Sequence, residues 1–132
     1  SVKFLQSGLA DWRRRLDQIG GTMMIGELKV VYKQPGSAEM TRRFFDSFAD
    51  EGWPVALWTW KELHPKSSSP TGDWMLATNA ENLPKLDYNA SSSEQIESFF
   101  KSLSTMPLRI DEELLHWLTT NVKPSPLVAS QE

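Results

Sequence analysis

An α/β fold built on one βαβ unit is predicted by three observations. Two short apolar runs, Thr22 to Glu27 and Pro54 to Lys61, have the composition of strands. Between them Met40, Phe44, Phe45 and Phe48 fall on one helix face, and a crossover of roughly twenty residues makes the flanking strands parallel. Both runs are nearly continuous in apolar side chains, as in strands buried on both faces. Two strands do not make a stable sheet alone. The sequence therefore reads as a slice of a larger α/β sheet or barrel, and it needs neighbours.

The elements follow in order. Leu9, Trp12, Leu16 and Ile19 recur at helical spacing, with Ser7 as a candidate cap and Gly20-Gly21 as the stop. The first strand, Thr22 to Glu27, leads into a loop from Lys29 to Ser37 punctuated by Pro35-Gly36. The second helix ends at Gly52, and the second strand is followed by a loop, Lys66 to Gly72. Asp73 to Leu76 reads as a short turn or helix, and Asn79 to Ala90 as irregular chain. Ser92-x-x-Gln95 has the form of a capping box and opens a third helix with the stripe Ile96, Phe99, Phe100 and Leu103. Pro107 ends it, and Asp111 starts a fourth helix carrying Leu114, Leu115 and Leu118. Residues 1–122 form the folded part, and the tail 123–132 reads as disordered.

Composition narrows the function classes. The chain has 132 residues, no cysteine and a net charge of −3, with 39% hydrophobic and 23% charged residues, which is ordinary for a globular protein. Nothing in the scattered charge predicts nucleic acid as a partner, and Arg13-Arg14-Arg15 reads as a solvated helix face. No thiolate nucleophile or disulfide is available. His64 and His116 are isolated, which argues against a histidine metal site, and no organic cofactor is implied. No apolar run reaches the length of a membrane span, and Ser1 to Arg15 lacks the apolar core of a signal peptide, so a soluble protein is expected. Asn89-Ala90-Ser91 is a formal glycosylation acceptor of a kind that occurs often by chance.

Chemistry concentrates at the ends of the two strands. In a (β/α)8 barrel, active-site residues sit at the C-terminal strand ends. Here Glu27 closes the first strand, and Trp58, Trp60, Lys61 and Glu62 close the second. Gly26 before Glu27 would let backbone or ligand come close. The chain has 6 tryptophans, and flat aromatic faces crowded at a strand end suit stacking on sugar rings. Plainer roles exist for each: Glu27 as a solvated loop residue, Trp58 as packing between strand and helix, Lys61 as the partner of a nearby carboxylate.

Met24-Ile25-Gly26-Glu27, then about thirty residues, then Trp58-Thr59-Trp60-Lys61-Glu62 resembles the seventh and eighth strands of family 5 glycoside hydrolases. The exo-glucanase-like branch is the nearest likeness, because there the Trp-x-Trp-Lys run is followed by an acidic residue and tryptophan, here Asp73-Trp74. Phe44-Phe45-Asp46 to Gly52-Trp53 fits that family's seventh helix, and the likeness covers roughly residues 8–104. Leu28 departs from the aromatic or small residue frequent after the family's glutamate.

The resemblance implies the C-terminal part of a TIM barrel with two parallel strands and C-terminal helices, cut from a retaining β-glycosidase acting on a β-glucan or related β-glycoside. It makes Glu27 the catalytic nucleophile and Trp60 a wall of the subsite beside the cleaved bond, with Trp74, Trp58 and Glu62 as further substrate-binding residues. Retaining enzymes need a second carboxyl about 5–5.5 Å away as acid/base. In the family it follows an asparagine at the end of the fourth strand, and this chain has no such Asn-Glu pair: Ala80-Glu81-Asn82 has the wrong order. Glu62 is the nearest candidate within the chain, but by alternation it shares one side of the strand with Trp60 and lies at the loop mouth; Asp73 is weaker still. The partner is then expected on the missing barrel part, as a second polypeptide or as further copies of this chain, with a truncated gene product as the third origin. An isolated monomer is expected to be unstable and inactive. A glycan-binding or self-associating fragment with an idle Glu27 is the alternative.

Overall fold

The structure is a computed structural model that describes residues 2–31 and 34–124. The tail expected to be disordered lies outside the described residues from 125 onward.

Four helices and two small sheets alternate along the chain: α1 (Val2–Ile19), β1 (Ile25–Leu28), α2 (Ser37–Asp50), β2 (Val55–Leu57), β3 (Ala77–Asn79), α3 (Ser93–Thr105), β4 (Leu108–Ile110) and α4 (Glu112–Thr119). β1 and β2 are parallel, so β1–α2–β2 is the βαβ unit expected from the crossover. β3 and β4 form a separate antiparallel pair, with Thr78 opposite Arg109. No closed barrel forms from these strands.

Several helix ends follow from local chemistry. α2 begins after Gly36, and Gly52 (φ 75°) turns the chain out of it, a conformation that costs any other residue its Cβ clearance. Ser92 makes the full capping box: its hydroxyl accepts from the Gln95 amide, and the Gln95 side chain accepts from the Ser92 amide. Asp111 caps α4 by accepting the Leu114 amide at 3.1 Å. At the other end of α4, the Arg42 guanidinium donates to the Trp117 and Thr120 carbonyls at 2.7 and 2.8 Å, tying α4 to α2. Ser7 is not the N-cap of α1, which starts at Val2 and places it inside the helix.

The core is small and lies where α2, α4 and the strands meet. Ala38, Leu76 and Leu114 are buried together, with Leu57, Ile110, Leu115, Trp117 and Leu118 packed on them. This corrects the expectation of strands buried on both faces: β1 and β2 hold no fully buried residue. α2 packs on β2, and α4 packs on α2; β1 and β2 remain a sheet of two strands. β3 and β4 are a second correction. β3 overlaps the expected irregular chain at Asn79, β4 lies between the expected third and fourth helices, and each is only three residues long, too short to show a period of two. The stripe on α3 has no buried member, and on α1 Trp12 and Ile19 are exposed.

Asn79 is completely buried and clamps the chain beyond β2. Its carboxamide oxygen accepts from the His64 amide at 2.8 Å, and its nitrogen donates to the His64 and Glu81 carbonyls. Asn79→Ala leaves these groups unpaired and is expected to cost about 1–3 kcal/mol, read as a lowered urea midpoint at matched protein concentration.

Candidate functional site

β1 and β2 do not pair residue for residue. Ile25 faces Val55 and Leu28 faces Leu57, so three steps along β1 match two along β2. The extra residue is a bulge that contains Gly26 and Glu27, both exposed. A bulge re-aims a side chain and interrupts the ladder, which is how an apolar strand comes to present a carboxylate. Among the described residues the Glu27 carboxylate has no hydrogen bond or ion pair. A Cβ on Gly26 would meet nothing within 4 Å, so close packing inside this chain is not what requires glycine there.

Past β2 the chain leaves β1 and continues beside β3. The Trp58 amide still donates to the Leu28 carbonyl at 3.3 Å. The Thr59 amide then donates to Trp74 O at 2.6 Å, Leu76 N to Thr59 O at 2.8 Å, Ala77 N to Trp60 O at 2.9 Å and Glu62 N to Ala77 O at 3.0 Å. Residues 59–62 thus run parallel to 74–77, with Lys61 bridged to Ala77. The peptide between Trp58 and Thr59 is cis. This ladder gathers the backbones of Trp58, Trp60 and Trp74 within a few residues of the β1 end.

Trp58, Trp60 and Trp74 are 48%, 58% and 48% exposed. Trp58 is therefore not the core packing that a strand tryptophan would ordinarily supply. Trp53, by contrast, is buried and stacks on Phe48. Glu62 is exposed, and its carboxylate lies 3.5 Å from His64 Nε2. The contact is not a hydrogen bond, and His64 Nε2 is buried without a hydrogen-bond partner among the described residues.

The residue that sequence reading missed is Lys29. It reads as the start of a loop, yet its side chain is only 3% exposed. Its ammonium donates to Met75 O at 2.7 Å and Pro70 O at 3.1 Å and lies 3.7 Å from Asp111 Oδ2. Burial pushes its pKa below the usual lysine range, and Asp111 and then Asp73 pull it partly back. The partners lie 41 or more residues away in sequence, so no local pattern announces the site.

Beside Leu28 and Lys29 runs an open groove of about 1240 Å³, lined by Val30, Met40, Phe44 and Trp74 among others. It lies between residues 28–31 and α2, which lines it with Met40 and Phe44 beside Arg42, Arg43 and Asp46. Among the described residues no group of three or more His, Asp and Glu gathers in a way that could hold a metal ion. No described helix is long and apolar enough to cross a membrane.

No known protein family, curated protein or solved structure matches the chain.

Proposed function

We propose that this chain is the nucleophile-bearing part of a retaining β-glycosidase of the (β/α)8 kind, active on a β-glucan or related β-glycoside once the rest of the barrel is supplied. The observation that carries the reading is the bulge that turns Glu27 outward at the end of a parallel strand, where barrel active sites lie. The three half-exposed indoles on the adjoining ladder support it as stacking surfaces for sugar rings. The thin core, the two-stranded β1–β2 sheet and the groove along α2 support the need for a completing partner. That partner would supply the acid/base carboxyl, because this sequence holds no Asn-Glu pair of the family's kind.

The experiment treats the purified assembly with a fluoro-sugar bearing an aryl leaving group. Glu27 oxygen bonds to the anomeric carbon as the aryloxide departs, and the fluorine slows hydrolysis of the resulting ester. Peptide mass mapping should place the adduct on Glu27, while native mass spectrometry identifies what completes the site. An adduct on another residue, or hydrolysis that proceeds without Glu27, overturns the assignment.

A second reading is glycan binding without catalysis. The exposure of Trp58, Trp60 and Trp74 favours it, because stacking needs no second carboxylate. Saturable oligosaccharide binding with no turnover in any assembly would select it.

A further inference from the structure

We infer that Lys29 is a positioning residue for Trp74, setting the angle of that indole from beneath. The inference takes the meaning of Trp74 as a sugar-stacking residue from the function proposed above; the positioning itself stands on geometry. The loop carrying Trp74 runs from Pro70 to Met75, and the Lys29 ammonium donates to the carbonyls at both of its ends. Pro70 O also accepts from the Asp73 amide at 3.2 Å, closing a turn in which Gly72 (φ 79°) takes the left-handed position. Thr59 N holds the Trp74 carbonyl. The Trp74 backbone is thus fixed on both sides while its ring remains half exposed.

An ammonium has three donors and a single point of charge. Two of its bonds here go to the ends of one loop, and its third direction faces Asp111 Oδ2. Asp111 spends its other oxygen on the α4 cap. Lys29 follows Glu27 by two residues, directly after β1. One buried cation therefore joins the Glu27 strand, the Trp74 loop and the start of α4, so the carboxylate and the indole share a common mount.

The test uses the double variant Lys29→Met with Asp111→Asn. It removes both charges together, which buried pairs tolerate far better than loss of one partner, and it keeps a capping side chain on α4. Amide exchange of residues 71–76 should accelerate by at least about tenfold, while α2 and α4 keep their protection. Affinity for a soluble β-glucan oligosaccharide, read by tryptophan fluorescence, should fall about tenfold, with Trp74→Phe as the reference for a displaced ring. Unchanged exchange in 71–76, or exchange rising equally across α4, overturns the positioning role. Wild-type protein that binds no oligosaccharide while the loop still loosens would sink the sugar reading and leave the mount intact.

Discussion

With Glu27 as the proposed nucleophile, Glu27→Gln is expected to lower turnover of an aryl β-glucoside by the proposed assembly about 10³-fold or more, with little change in KM. In that proposal the carboxylate oxygen bonds to the anomeric carbon as the aryloxide leaves; an amide of the same shape is neutral and a poor nucleophile. Glu27 is exposed on a bulge and has no partner among the described residues, so the substitution leaves no buried group unpaired and folding is unaffected. The trimmed variant Glu27→Ala adds a chemical check. A small anion such as azide can enter the vacated space, bond to the anomeric carbon and expel the aryloxide, giving an α-glycosyl azide with rate recovered. Equal turnover in wild type and Glu27→Gln would assign hydrolysis to some other group and leave the glycan-binding reading standing.

Lys29→Ala is the change expected to cost most in stability, about 3–5 kcal/mol. It removes the donors to Pro70 O and Met75 O and strands the Asp111 carboxylate, of which only 6% of the side chain is exposed. Urea denaturation at matched concentration reads the loss. A shift below about 1 kcal/mol would mean that water replaces the ammonium without strain. The pH dependence has a definite sign. Folding lowers the Lys29 pKa, so the unfolded chain binds that proton more tightly. Stability therefore rises with pH between the folded pKa and the ordinary value of 10.5. Removing Lys29 and Asp111 together flattens that slope.

Features that depend on neighbours in sequence were the legible ones. The capping box at Ser92, the Asp111 cap, the Gly52 stop and the parallel pairing of β1 with β2 all follow from spacing over a few residues or from one crossover length. Strand ends were legible only to within four residues: β2 closes at Leu57, while the apolar run continues to Lys61 on a different partner. β3 and β4 escaped because three residues carry no readable period and their pairing joins Ala77 to Ile110. At the candidate site, Glu27 and the tryptophans were legible as residue types at a strand end. The bulge and the Lys29 cluster were not, because each depends on a partner that no window of local sequence contains.

The links that close this fold also set an order of events during synthesis. Arg42 finds the Thr120 carbonyl 78 residues later, and Lys29 waits for Asp111 in the same part of the chain. At ribosomal speeds that interval is roughly 4 to 16 s. β2 ends 15 residues after Arg42, so for most of that interval the βαβ unit has been made and α4, which packs on α2, has not. The growing chain is then most open to chaperones, well before α4 arrives.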